Sequence, residues 1–374
     1  MSISIKEVKS KKDLKVFIRF YNELYAKNKY FAPPLEFDEL STLTKGKNPA
    51  HTICDTKYWL AYHKNKVVGR IAAIINSEEL SKSDKKIARF GFFDFIDDFD
   101  ASKALMQTAT SWLKEKGMDT LHGPFGFTDL DRQGMLVEGF DRESTMATIY
   151  NHEYYISHLD KLGFKKSTDW IEYSLTLSEE SPDKMKKISQ FAQKRYKAKL
   201  LKVKSKKELK KYIPQMFDLI NDGYKDLYGY TKLSKEQVEY YGKNYFGFVK
   251  KELVSLTVDK NGKLIGIAIT MPSFTKALQK AKGKLFPFGW YYMLEALNKN
   301  DTLDMYMIAV DKEYQDKGVA VIMIEEIYSA AIKFGIKRVE TNIELEDNHK
   351  VQSMWKYLDS EQHKRRRCYI KNIE

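Results

Sequence analysis

Apolar and polar positions along the chain fall into two similar successions. Residues 58–75, YWLAYHKNKVVGRIAAII, read as two apolar strands about a Lys-Asn-Lys turn, and residues 253–271, LVSLTVDKNGKLIGIAITM, read as the same hairpin about Asn261-Gly262. A helix, a glycine and a strand come next in each half: ASKALMQTATSWLKEKGMDTLHG in the first, VAVIMIEEIYSAAIKFGIKRVETNI in the second. Each half closes with an aromatic-rich helix, over 151–164 or 347–359, followed by an apolar strand, WIEYSLTL or RRRCYIKNI. The pattern predicts a mixed α+β unit that occurs twice.

The spacing supports a true repeat. Gly69 and Gly266 lie 197 residues apart and Gly117 and Gly335 lie 218 apart, so the second half carries 21 additional residues, which fall in an insertion at about 273–300. A proline in SEESPDKMKK interrupts the strand pattern at the seam. The expected organisation is therefore a first domain over 1–177, a connector over 178–199 and a second domain over 200–374.

Charge changes this picture in one place. The chain has 374 residues and a formal net charge of +13, but residues 184–211 alone contain thirteen Lys or Arg against one acid, Glu208. The excess is local, so it does not mark a nucleic-acid-binding protein. The segment reads as a solvated connector, or as a contact for phosphates, an acidic acyl carrier protein or an anionic membrane surface. The N-terminal MSISIKEVKS has no apolar core of a signal peptide, and no window approaches the roughly 20 apolar residues of a membrane span. A cytoplasmic protein is expected, with attachment to the inner membrane periphery open. Cys54 and Cys368 read as reduced or idle thiols, and His152 and His158, six residues apart with no cysteine nearby, predict no metal site.

Candidate chemistry concentrates in VDKEYQDKGVAVIMIEEI, residues 310–327. An apolar strand over Met305–Val310 and an apolar-periodic helix from Val319 flank Gln315, Asp316, Lys317, Gly318, Val319 and Ala320. A glycine at such a junction lets backbone N–H groups converge where the helix end adds partial positive charge, which suits an anion. The first half places Asp97, Asp98 and Asp100 at the matching junction, where carboxylates compete with a phosphate. One anion site is predicted, in the second half.

Hairpin, insertion, strand, Gln-x-x-Gly-x-Ala, helix, strand and then Asn348 together resemble the GNAT superfamily of acyl-CoA-dependent N-acyltransferases. Its pyrophosphate loop reads Gln/Arg-x-x-Gly-x-Gly/Ala. The resemblance covers residues 200–374 with the motif and 1–177 without it. It implies two tandem GNAT-like domains, each a mostly antiparallel sheet flanked by helices, with acetyl-CoA or a longer acyl-CoA as donor. The donor would contact Ile308, Ala309, Val310, the loop residues 315–320 and Asn348, and the N–H of Ile308 or Val310 would hold the oxyanion formed when an amine attacks the thioester.

Acid and base are less defined. In VETNIEL, strand alternation sets Glu340, Asn342 and Glu344 on one face, either as solvent-facing polar positions or with Glu340 or Glu344 as base. The family's acid is a tyrosine on the last helix; here that position is Met354, which leaves Tyr357 as the candidate, against a role as a core aromatic. In the insertion, Phe286, Phe288, Trp290 and Tyr291 would wall an acyl chain, touch a membrane or cover the second domain's core. Asp129, Asp131 and Arg132, in the glycine-rich GPFGFTDLDRQGMLVEGFD, read as substrate contacts or as an ordinary surface loop.

The segments GRIAAIIN, GPFGF, GFD, KLFPFGW and EYQDKGV are similar to a bacterial group of tandem GNAT-like proteins. The resemblance implies acyl transfer to an amine, with a lipid amine such as a sphingoid base as one acceptor. A Fem-type aminoacyltransferase and a non-catalytic CoA- or ligand-binding protein are the alternatives.

Overall fold

A computed structural model describes residues 3–82 and 84–373. The chain forms two compact units. The first comprises Met1–Ile171, Thr275–Met293 and Lys364–Glu374; the second comprises Glu172–Phe274 and Leu294–His363.

In the first unit, β1 (Ile3–Glu7), β2 (Cys54–His63), β3 (Lys66–Asn76) and β4 (Ile87–Phe95) pair antiparallel in that order, and β5 (Thr120–Gly123) lies parallel to β4. A short strand, β6 (Met135–Glu138), and β5 both pair with the end of the chain, where Tyr369 opposes Gly123 and Arg367 opposes Met135. Alternate residues of the β2–β3 hairpin feed two cores. Trp59, Ala61, Ile71 and Ala73 pack with Leu105, Ala109 and Trp112 of the helix Phe99–Glu115. Tyr58, Leu60, Ala72 and Ile74 pack with Leu14, Phe17 and Ile18 of the helix Lys11–Leu24. Because both faces are covered, the hairpin reads as continuous apolar runs.

The second unit repeats the order. Part of β7 (Lys165–Thr176), β8 (Lys199–Leu200), β9 (Val254–Val258), β10 (Leu264–Pro272), β11 (Thr302–Val310) and β12 (Arg338–Glu340) form its sheet. β8, β9, β10 and β11 pair antiparallel in sequence; β11 and β12 are parallel, and Ser174–Thr176 of β7 pairs with β12. Two strands complete the set: β13 (Glu344–Leu345), paired with β7, and β14 (Asp359–Asn372).

One glycine in each unit lets the major helix close on the sheet. A Cβ at Gly69 would stand 2.6 Å from Leu105 Cδ1, and one at Gly266 would stand 2.9 Å from Val319 Cγ1 and 3.0 Å from Met323 Sδ. These are the two glycines matched by spacing. Gly266→Leu is expected to cost about 1–3 kcal/mol by overpacking, read as a lower melting temperature.

Several expectations are corrected. The units are not consecutive segments dividing at 177 and 200: β7 crosses from one unit's residues to the other's, and the chain's last eleven residues belong to the first. The basic connector is not a solvated link. Asp183–Tyr196 is a helix, and its Met185 and Ala192 are buried in one core with Ile322 and Met323 of the helix Val319–Lys333. The insertion is not wholly part of the second domain, because Thr275–Met293 packs in the first unit. There Thr275 Oγ1 donates to Ser144 O at 2.9 Å, Gln279 Nε2 donates to Lys29 O at 2.9 Å, and Glu36 N–H donates to Gly283 O at 2.8 Å. Its aromatic tip is exposed, so it covers no core. Asp131 accepts from the N–H of Thr128 at 2.8 Å, Asp129 accepts from Gln133 Nε2 at 3.2 Å, and Arg132 pairs with Glu39; these charges serve the first unit's own loop. Cys54 and Cys368 are buried free thiols.

Candidate active site

In the second unit the site begins where two strands part. β11 pairs with β10 from Leu303 to Val310, with a register shift that makes Tyr306 an extra residue between Met305 and Met307. On its other edge, β11 pairs with β12 only over Thr302–Asp304 and Arg338–Glu340. Beyond that point side chains meet the strand's polar groups. Asn342 Nδ2 donates to Tyr306 O at 3.1 Å, Tyr224 Oη donates to Ile308 O at 2.9 Å, and Gln315 Nε2 donates to Val310 O at 3.4 Å. The Ile308 N–H points to Tyr224 Oη at 3.3 Å, so the main chain expected to be bare at Ile308–Val310 carries a tyrosine partner at Ile308. Ala309 is buried. Sequence reading missed Tyr224, since nothing in the periodicity of the helix Ile213–Tyr224 marks its last residue as a strand-edge partner.

At the end of β11, Asp311 caps a short turn by accepting from Glu313 N–H at 3.0 Å and is held by Lys263 Nζ at 2.7 Å. Asp316 and Gly318 then take left-handed conformations, φ 60° and 77°, and Gly318 is the N-cap of the helix Val319–Lys333 with no side chain bonding the first turn. The early N–H groups of a helix have no acceptor within it, so this end presents donors and positive potential together. A Cβ at Gly318 would meet Ala192 Cβ at 3.0 Å and Ile188 Cγ2 at 3.5 Å, which places the basic helix Asp183–Tyr196 against the loop. The Lys317 ammonium lies over the rings of Tyr314 and Tyr196, 5.3 and 5.6 Å from their centroids. Val319 is buried in the core and Ala320 is half-buried. Asp316 pairs with Lys350 at 2.7 Å on the surface. Asn348 caps the helix His349–Trp355 by accepting from Val351 N–H at 3.4 Å.

The first unit fills both positions with its own atoms. Asp98 caps the helix Phe99–Glu115, accepting from the N–H groups of Asp100 at 2.9 Å and Ala101 at 3.4 Å. Phe95 holds the register place of Val310, opposite Gly69 as Val310 is opposite Gly266. Its N–H donates to Tyr155 Oη at 3.0 Å, the Tyr155 ring stacks on it with centroids 4.2 Å apart, and Tyr154 Oη donates to its carbonyl. The aromatic helix Tyr154–Lys161 therefore occupies the edge of β4, and the helix end carries a carboxylate.

Ionisable groups gather at the base of the β11–β12 divergence. Glu340 stands beside Asp304 in the parallel register, and both are buried. Glu340 Oε2 lies 2.9 Å from His363 Nε2, while its other oxygen lies 3.2 Å from Ser174 Oγ and 3.4 Å from Arg338 Nε. The Tyr306 hydroxyl is buried without a hydrogen-bond partner, and burial, then Asp304, pushes its pKa well above the ordinary value. Asp304 carried a sequence signal that was passed over, as the one charge in the apolar TLDMYMIAV. His363 was hidden inside EQHKRRR, which reads as a surface charge run.

Glu340, Asn342 and Glu344 do not share one strand face. β12 ends at Glu340, Asn342 turns to Tyr306 O, and Glu344 lies in a separate short strand, β13, which also pairs with β7. Trp355 Nε1 donates to the Glu344 carboxylate at 2.9 and 3.1 Å. Burial pushes the Glu344 pKa up to about 8, opposed by hydrogen bonds from Trp355 and Thr341 and aided by Glu172. A carboxyl raised in the folded state binds its proton there while the unfolded chain has lost it, so stability falls as pH rises from the ordinary value of 4.5 toward about 8. Glu344→Gln is expected to flatten that fall in denaturant titrations between these limits. Tyr357 is at the surface, its ring 4.4 Å from Lys184 Nζ, rather than in the group around Glu340. At the position six after Asn348, Met354 packs against the core.

The same sheet order and the same parting of a parallel strand pair occur twice in this chain, and that makes it a tandem GNAT-fold protein. Residues 213–359 match the acetyltransferase (GNAT) family model. Over the whole chain, protein YghO of Escherichia coli strain K12 is 26% identical across 375 residues, covering 97% of this chain and 94% of that protein. The bacterial ceramide synthase of Caulobacter vibrioides is 25% identical across 383 residues, covering 99% and 98%. Among solved structures, a tandem GNAT protein from the clavulanic acid biosynthesis pathway superposes with a TM-score of 0.58 at 12% identity, covering 100% of this chain and 99% of that chain. A GCN5-related N-acetyltransferase from Sphaerobacter thermophilus gives 0.54 at 8%, covering 100% and 96%. No helix among the described residues is long and apolar enough to cross a membrane.

Proposed function

We propose that the second unit transfers an acyl group from acyl-CoA to the nitrogen of an amine, and that the first unit binds no donor. The carrying observation is the contrast between Gly318, which leaves its helix end uncapped, and Asp98, which closes the equivalent end with a carboxylate. The loop fits a diphosphate: no side chain caps the first turn of the helix, whose early N–H groups therefore keep their capacity for an anion. Lys317 and the exposed Lys194 and Arg195 of the adjoining helix add positive charge.

Acyl-CoA supplies an activated thioester carbonyl; the remaining work falls to the chain. The edge of β11 beyond Asp304 would accept an extended amide chain through main-chain bonds once Asn342, Tyr224 and Gln315 release the groups they hold at Tyr306, Ile308 and Val310. The amine nitrogen forms a bond to the carbonyl carbon, the C–S bond breaks, and the nitrogen's proton passes to the Glu340–His363 pair. The thiolate is then reprotonated by the proton that the Glu340–His363 pair has taken up, or by water; burial and Asp304 raise the Tyr306 pKa well above its ordinary value, so that hydroxyl is not the donor, and the exposed Tyr357 is not assigned the role.

The acceptor we favour is a long-chain amine. Support comes from the near full-length similarity to the ceramide synthase of C. vibrioides. The test is titration of the protein with acetyl-CoA and long-chain acyl-CoA, followed by thiol release across short and long-chain amines. Saturable stabilisation and amine-dependent thiol release are expected. Absence of any CoA response would sink the proposal; binding without turnover on the whole panel would favour a non-catalytic binding protein.

A further inference from the structure

The insertion's aromatic tip is not used by the acyl-transfer reading, and it is among the most exposed apolar surface in the molecule. Phe286 and Phe288 are 73% and 65% exposed, Trp290 and Tyr291 are exposed beside them, and Pro287 joins the two phenylalanines. Four exposed lysines, Lys276, Lys280, Lys282 and Lys284, precede this tip, and no acidic residue occurs between Ser273 and Leu294. Aromatic side chains at a tip with lysines behind it match the layering of a bilayer interface, where rings sit at headgroup depth and ammonium groups face anionic phosphates.

Some of the tip's polar groups are already hydrogen-bonded within it. Trp290 Nε1 donates to Pro287 O at 2.8 Å, Trp290 N–H donates to Leu285 O at 2.9 Å, and the N–H groups of Tyr291 and Tyr292 donate to Phe288 O at 3.1 and 3.2 Å. Pro287 has no N–H to satisfy. These groups, the indole donor among them, therefore leave water without losing a hydrogen bond. The base is also anchored. Gly283, at φ 75°, has no room for a Cβ, which would stand 2.3 Å from Asn22 Nδ2, and its carbonyl accepts from Glu36 N–H. The loop is held as a preformed wedge and orders little on contact.

We propose that the segment Lys276–Tyr291 docks this protein on an anionic bilayer surface, with Phe286, Phe288 and Trp290 inserted to headgroup depth and the lysines over the lipid phosphates. The docking is independent of the acyl-transfer reading. A protein partner would need complementary polar groups around the rings, and the tip offers only lysines on one side.

Vesicle co-sedimentation of the full chain tests it, with phosphatidylglycerol-containing vesicles against pure phosphatidylcholine. Partitioning at least ~10-fold stronger to the anionic vesicles is expected. Phe286→Ser/Phe288→Ser/Trp290→Ser should lower it at least ~10-fold, and Lys→Gln at the four lysines should remove the anionic preference and its salt sensitivity. Brominated lipid should quench wild-type fluorescence more than that of Trp290→Phe. Unchanged melting temperature and CoA response of the serine variant would show that it is folded. No preference for anionic vesicles, or partitioning that survives the triple serine variant, would overturn the proposal. So would a concentration-dependent dimer that the serine variant abolishes, since the tip would then be a self-association face.

Discussion

Gly318→Asp is expected to weaken acyl-CoA binding by ~10²-fold or more, because a carboxylate about 5 Å from a diphosphate costs about 3 kcal/mol per charge pair at an effective dielectric of 20. The change copies into the second unit what Asp98 already does in the first, where the carboxylate takes the N–H groups of Asp100 and Ala101. Two other effects accompany it. A non-glycine residue at φ 77° costs about 1–2 kcal/mol, and the new Cβ would press on Ala192 Cβ at 3.0 Å. Gly318→Ala carries the same strain without the charge, so the pair separates them. The alanine variant should lose a few degrees of melting temperature and retain measurable affinity, whereas the aspartate variant should lose affinity out of proportion to its stability. Calorimetric titration with CoA at two salt concentrations checks this, as added salt screens the aspartate penalty. Equal affinities for the alanine and aspartate variants would mean that the diphosphate does not sit at this helix end.

The repeat was legible because its signals are local. Apolar runs two to a hairpin, a helix with 3.6-residue periodicity and a glycine at each end recur in order, and the structure adds a cause for one of them in Gly69 and Gly266, where a helix presses on a strand. The strand–turn–helix junction was legible for the same reason: Gln315–Ala320 is a contiguous stretch, and Gly318 stands at the helix start as its spacing predicts. The units' real composition was not, because strand exchange is decided by which edge a distant strand can pair with. Arg338 to Glu340 pairing with β7, and Tyr369 to Asn372 pairing with β5, leave no mark in the order of elements. The acid–base group was hidden in a similar way. Asp304, Glu340, His363 and Ser174 come from four separate strands, and their meeting is a matter of sheet order. Glu340 was reached only through alternation within VETNIEL, and the same alternation wrongly joined it to Glu344, since the strand stops at Glu340. Tyr357 stands as a candidate in the sequence only because Met354 is not a tyrosine; Met354 packs against the core, and Tyr357 lies at the surface beside Lys184.

His363→Ala and Glu340→Gln are each expected to lower kcat for amine acylation by ~10²–10⁴-fold while leaving the affinity for acyl-CoA within a factor of a few. The split follows from geometry, because the pair lies at the base of the strand divergence whereas the proposed diphosphate site is at Gly318, past the far end of β11. An amine is mostly protonated near neutral pH and must shed a proton before or during attack, so removing the accepting group should change the pH–rate profile in either variant. Burial supplies an internal control. The Glu340 carboxylate is buried 2.9 Å from His363 Nε2, and Glu340→Gln keeps its shape while removing its acidity, so its melting temperature distinguishes a loss of chemistry from a loss of fold. Tyr357→Phe provides the external control and should leave kcat unchanged, because that ring is packed against Lys184 at the surface. A Tyr357→Phe variant that lost activity while His363→Ala kept its full pH profile would return the proton transfers to the last helix and strip the β11–β12 cluster of its role.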